Sequence, residues 1–178
     1  MLDLAPEVRA LIRAAGRGAM IPAADRSRGP VLSRGEVERL LPHRDPFLLI
    51  DEITFVDRGT PAIVCRCDLE RSAPTFAGHF PGRPLWPGVL QVEAIGQAGL
   101  CLARLLAGSP GDRDAPGFAL THILGAEFIR PVRPAGGLEI VSRLLPDGLF
   151  TILVGQCLQQ DAVCCVAAVR GINQELES

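Results

Sequence analysis

Between Gly88 and Leu106 the chain is almost unbroken in small and apolar residues, with Gln91, Glu93, Gln97 and Arg104 as its polar exceptions. That pattern predicts a helix buried nearly all round, opened by Pro87, whose missing N–H costs nothing in a first turn. Elsewhere the apolar period shortens to two. Phe47–Val56 and Pro61–Leu69 read as a strand pair around the turn Asp57-Arg58-Gly59-Thr60. Beyond a Gly/Pro/Asp loop at 108–116, strands are expected at Phe118–Arg130, Leu138–Leu145, Phe150–Gln159 and Val163–Ile172, with turns at Pro146-Asp147-Gly148 and Gln160-Asp161. One long helix cannot serve a doubly wound sheet, which needs a helix at every crossover. The pattern therefore predicts an α+β chain whose antiparallel sheet wraps a single helix. In the last strand Val163, Cys165, Ala167 and Val169 alternate with Cys164, Val166 and Ala168, so both faces are apolar, and an oligomer contact is expected over the second face.

Residues 1–30 form an Ala/Arg/Gly/Pro-rich extension with a short helix expected from Glu7 to Ala15. Arg9, Arg13 and Arg17 would make one basic stripe on it, read as the solvated face of a flexible arm, with docking to an acidic partner as the alternative. Ser33 and Glu36 spell a capping box for a second short helix, running to Leu41 and ended by Pro42. Residues 31–178 are long enough for one domain with its own core. A net charge of −2 and a pI near 5.9 argue against nucleic acid as the main partner. The first 30 residues carry several arginines and no export-type apolar core, which places the chain in the cytoplasm, with reduced thiols. The six cysteines show no ligand spacing and read as small buried hydrophobes, so no metal is expected. The polar residues inside the long apolar helix make it a core helix and not a membrane anchor.

The chemistry concentrates in Gly78-His79-Phe80-Pro81-Gly82-Arg83-Pro84-Leu85-Trp86-Pro87-Gly88-Val89-Leu90-Gln91-Val92-Glu93. A rigid loop delivers an imidazole, and the helix that follows delivers a carboxylate in its second turn. Either residue alone reads more readily as structural; together they make an acid/base pair, because an unpaired buried carboxyl costs roughly 1–3 kcal/mol and needs a partner or a task. The offset of 14 positions (93 − 79) allows the two to meet within one chain without requiring it.

The same segment, with Leu40-Leu41-Pro42-His43-Arg44-Asp45-Pro46-Phe47-Leu48-Leu49-Ile50-Asp51 upstream and Phe128-Ile129-Arg130-Pro131-Val132-Arg133-Pro134 downstream, resembles the 3-hydroxyacyl-[acyl-carrier-protein] dehydratases of the FabZ type and their FabA relatives. Collinear blocks cover roughly residues 31 to 172. The resemblance implies the hotdog fold and dehydration of a (3R)-3-hydroxyacyl carrier thioester to the trans-2-enoyl product, in fatty-acid or secondary-metabolite synthesis. His79 would be the base, its imidazole titrating near ~6.5 when unperturbed. Glu93 would be the acid, if apolar surroundings keep its proton on. Gly88 and Val89 would offer first-turn N–H groups to the thioester carbonyl, Gly88 letting substrate approach closely. Gln97 lies four residues after Glu93, placed to support its carboxyl. Phe80 and Trp86 would shape the acyl tunnel, and Arg83, Arg130 and Arg133 would dock an acidic acyl carrier protein. His43 occupies a position read as structural.

In such dehydratases the histidine of one subunit serves the carboxylate of another, so a homodimer is expected, alone or as a trimer of dimers. The carrier supplies the phosphopantetheine arm, and no bound cofactor is expected. Asp45, Trp86, Pro134-Ala135-Gly136 and the absence of tyrosine depart from the common pattern and point to an acyl group unusual in length or branching. A hotdog thioesterase and a non-catalytic acyl-binding subunit are the competing readings.

Overall fold

The computed structural model describes residues 4–27, 29–108 and 117–174. Five helices, α1 (Pro6–Ala15), α2 (Ala23–Arg26), α3 (Arg34–Leu40), α4 (Ala73–Gly78) and α5 (Gly88–Ala107), accompany six strands. The strands are β1 (Glu52–Asp57), β2 (Ala62–Cys67), β3 (Gly117–Phe128), β4 (Leu138–Asp147), β5 (Phe150–Gln159) and β6 (Ala162–Gln174). They form one antiparallel sheet in the order β1-β2-β4-β5-β6-β3, and α5 lies across one face of it. This is the hotdog arrangement, an α+β fold as the element pattern predicts. The expected loop at 108–116 lies, after Gly108, outside the described residues. Gly108 itself closes α5 at φ 75°, a left-handed turn that favours glycine.

Two close approaches seat α5. A Cβ at Gly99 would stand 1.6 Å from Leu153 Cδ1, and one at Gly155 would stand 2.4 Å from Ile95 Cγ2, so helix and strand each give up a side chain where the other protrudes. The Ser142 hydroxyl donates to the Ile95 carbonyl at 2.9 Å between them. The inner core is built from Ile63, Cys65, Leu138, Ile140, Leu153 and Cys157 against Ala94, Ile95, Ala98 and Leu102. All six cysteines are free and buried, and burial pushes the Cys67, Cys101 and Cys165 thiols up to about 12.

The structure differs from the sequence reading at four places. The expected strand Phe47–Val56 begins only at Glu52, because residues 47 and 49 spend their backbone groups on Gln97 and not on a neighbouring strand: Gln97 Nε2 donates to the Phe47 carbonyl, and the Leu49 N–H donates to Gln97 Oε1. The loop before His79 holds an unforeseen short helix, α4, with Pro74 in its first turn. Helix α5 is not buried all round, since Val89 at its mouth is 73 % exposed.

The fourth difference concerns the second sheet face. It is covered by the chain's own N-terminal segment, not by an oligomer contact: Val8, Ile12, Ala15, Met20 and Ile21 pack on Val64, Val141, Ile152, Val154, Leu158, Val166 and Ala168. Arg9 and Arg13 remain on the exposed side of α1, and Arg17, just beyond it, is exposed as well. Residues 4–27 are therefore a docked layer and not a flexible arm.

Candidate functional site

Glu93 opens into a cavity of about 330 Å3 between α5 and β3, lined by His43, Val89, Val92, Glu93, Gly96, Gln97, Leu100, Leu120, Ile123 and Val169. Helical spacing puts Val89, Glu93, Gly96 and Leu100 on one stripe. Gln97 is 1 % exposed and fully engaged. Its Nε2 donates to Glu93 Oε1 at 2.9 Å while its other contacts reach Phe47 and Leu49, so the segment after α3 and the Glu93 stripe are fixed by one amide. The hydrogen bond expected from Gln97 to the Glu93 carboxyl is present. The Glu93 side chain keeps 32 % exposure.

His43, read from sequence as structural, faces the same carboxylate. Its Nε2 lies 3.6 Å from Glu93 Oε1, and its Nδ1 is buried with no partner among the described residues. Burial lowers the His43 pKa, the Glu93 carboxylate pulls the other way, and Arg104 and Arg44 lower it further. Sequence carried no local signal for this neighbour, because α3 and α5 meet only in the fold: Arg104 donates to the Leu40 carbonyl at 2.7 Å and holds the two together.

His79 caps the C-terminal end of α4, half-buried, and is not on the walls of the Glu93 cavity. Its Nδ1 lies 2.9 Å from the Leu85 carbonyl. A carbonyl can only accept, so Nδ1 carries a proton, and in the neutral ring the lone pair is the one on Nε2. The Leu85 N–H returns a bond to the His79 carbonyl at 2.8 Å, closing the loop on itself. The Phe80 ring stacks on the imidazole at 4.0 Å between centroids.

The remaining expected site residues separate. Among the described residues no acceptor takes the Gly88 or Val89 N–H, so both amides are free for an oxyanion. The room beside Gly88, however, holds protein and not substrate: a Cβ there would meet the Phe128 ring at 2.6 Å. Trp86 is not on the wall of the Glu93 cavity. It is 2 % exposed in the core, with its backbone N–H on the Val132 carbonyl at 2.9 Å. Phe80 borders a different groove, on the α4 side, with Phe76, Pro84 and Pro134. Arg83, Arg130 and Arg133 are exposed, and the Trp86–Val132 bond sets the Arg130–Arg133 segment beside the His79 loop. Leu120 and Ile123, which the sequence reading passed over, supply the β3 wall of the cavity and are 53 % and 60 % exposed.

Residues 41–143 match the FabA-like domain family. The 3-hydroxyacyl-[acyl-carrier-protein] dehydratase FabZ of Anaeromyxobacter sp. (strain Fw109-5) is 41% identical over 118 residues, covering 66% of this chain and 74% of that protein. That of Chlamydia trachomatis serovar L2 is 42% identical over 112 residues, 62% of this chain and 71% of that protein. Among solved structures, the dehydratase heterocomplex ApeI:P from Xenorhabdus doucetiae is similar with a TM-score of 0.61 at 20% identity, over 79% of this chain and 91% of that one, a likeness of fold.

Proposed function

Because this chain belongs to the FabA-like family and, within it, with the FabZ 3-hydroxyacyl-[acyl-carrier-protein] dehydratases, we propose that it removes water from 3-hydroxyacyl thioesters of acyl carrier protein in fatty-acid biosynthesis. The observation that carries the reading is a carboxylate held by Gln97 in an apolar cavity whose outer wall is β3, the edge strand of the sheet among the described residues. Within one chain His79 is not on the wall of this cavity. A second copy laid along β3 would cover Glu93 and bring its own His79 to it, so the working unit is a homodimer.

In that dimer the bare Nε2 of His79 takes the C2 proton. The C–H electron pair becomes the C2–C3 double bond, and the C3 hydroxyl leaves with a proton from Glu93 as water. The free amides of Gly88 and Val89, at the positive end of α5, hold the thioester oxygen as negative charge gathers on it. The imidazolium then returns its proton through solvent and Glu93 is reprotonated, which closes the cycle with water as the one by-product. Every step uses side chains and backbone, and the phosphopantetheine arm arrives on the carrier. Arg83, Arg130 and Arg133 form a positive rim for that acidic partner.

The test runs the reaction backward, as hydration of crotonyl-carrier protein followed by loss of enone absorbance and gain of mass. His79→Ala and Glu93→Gln are each expected to fall by at least ~100-fold, the scale of a lost acid or base. Mixing the two inactive variants should restore activity, because a mixed dimer keeps one intact His79–Glu93 pair. Wild type that releases thiol without adding water would mark a thioesterase instead. Mixtures that stay inactive while each variant remains folded would place both groups in one chain.

A further inference from the structure

Gly96 sits inside α5, where glycine is disfavoured against alanine by helix propensity. The other glycines of this helix have packing reasons: Gly88 meets Phe128 and Gly99 meets Leu153. Gly96 has none, for a Cβ built there meets nothing within 4 Å. What it does have is a place on the cavity wall, one turn beyond Glu93 and one turn short of Leu100. Depth along this stripe increases toward the C-terminal end of the helix, from Val89 at 73 % exposure to Leu100 at 8 %. A thioester carbonyl held at the Gly88 and Val89 amides and a C3 hydroxyl at Glu93 therefore point the acyl tail past Gly96 toward Leu100. At helical rise, Gly96 lies about 4.5 Å further along than Glu93.

On the dehydratase reading above, we propose that Gly96 is a specificity-determining position, its missing side chain widening the cavity for acyl carbons beyond the reacting C2–C3 pair. The substrate class it selects is thioesters whose chain extends or branches past C3, with Leu100 and Val169 as the deep lining. Val92 and Gln97 flank the space and cannot retreat from it: Gln97 is fixed by its bonds to Glu93, Phe47 and Leu49, and Val92 packs on the core.

The experiment uses N-acetylcysteamine thioesters, which remove carrier docking from the comparison. The hydration kcat/KM for trans-2-octenoyl and for crotonyl thioester is measured on wild type, Gly96→Ala and Gly96→Val, with thermal melting and light scattering on each. The octenoyl-to-crotonyl ratio is expected to fall by roughly tenfold for alanine, the scale of one methylene's worth of room, and further for valine. Alanine should leave the melting temperature equal or higher, because the helix gains propensity at an open position. A ratio that stays constant in folded, correctly assembled variants overturns the proposal. A drop in assembled mass overturns it in another way, by showing that the space belongs to the second subunit. Wild type that hydrates neither thioester nor crotonyl-carrier protein would refute the dehydratase reading itself, an outcome distinct from a constant ratio.

Discussion

Glu93 owes its position to Gln97, and Gln97 owes its own to two backbone groups far away in the chain. Beside them His43 is kept below its ordinary pKa by burial first, against the pull of the Glu93 carboxylate and with help from Arg104 and Arg44. A histidine lowered on folding binds its proton more weakly in the native state than in the unfolded one. Stability from this group is therefore complete above the unfolded value of 6.5 and is lost as pH falls through the lowered native value. Urea unfolding between neutral pH and about pH 5 should show an acid-side loss of stability that His43→Gln reduces. An unchanged slope would mean that His43 titrates as it does in the unfolded chain. His79 and Glu93 stood out in the sequence as candidates because an imidazole on a rigid loop and a carboxylate in an apolar helix are chemically conspicuous. His43 did not, since a histidine after Pro42 carries no mark of the helix it will face.

At the scale of elements, the N-terminal layer is held by more than apolar contact. The Gln156 side chain, 0 % exposed on β5, donates to the Ala15 and Gly18 carbonyls at 2.9 and 3.1 Å and accepts from the Met20 N–H at 2.5 Å. Arg26 pairs with Glu139 and, at 2.6 Å, with Asp161. Removal of residues 1–27 should strip several apolar side chains of their cover, each worth about 1.5–3 kcal/mol when fully buried. The shortened chain is expected to melt well below the full chain and to aggregate; equal melting and equal mass would show that the layer adds no stability. The period of α1 and the Ser33–Glu36 capping box were readable, and both formed. Where α1 docks was not, because a two-sided apolar strand announces that it will be covered without saying by what.

For the whole molecule the decisive feature is the outer edge of β3. It ends the sheet, it is twelve residues long, and Leu120, Ile123 and Phe128 are each more than half exposed. Two register shifts interrupt β3, after Leu120 and after Ile123, yet a long edge strand with exposed apolar side chains still invites another strand. His122→Glu places a charge on that edge at an exposed residue outside the lining of the Glu93 cavity. Light scattering should then report monomers that melt near the wild-type temperature and lack hydratase activity although His79 and Glu93 are unchanged. Retained activity in a proven monomer would defeat the shared-site reading. The single helix and the strand count made the fold class legible; the assembly is a property of surfaces, which a linear pattern does not order in space.

The docked N-terminal layer has a consequence for how the protein is made. Residues 8–20 leave the ribosome well before their seats, Ile152, Val154, Gln156 and Ala168. Until β5 and β6 exist, the apolar side of α1 has nowhere to rest, and chain growth must carry it unsatisfied through most of elongation. The docked layer thus comes before its seat in the chain and closes the fold after it, and a nascent chain halted before β5 would display it as a greasy tag open to any chaperone.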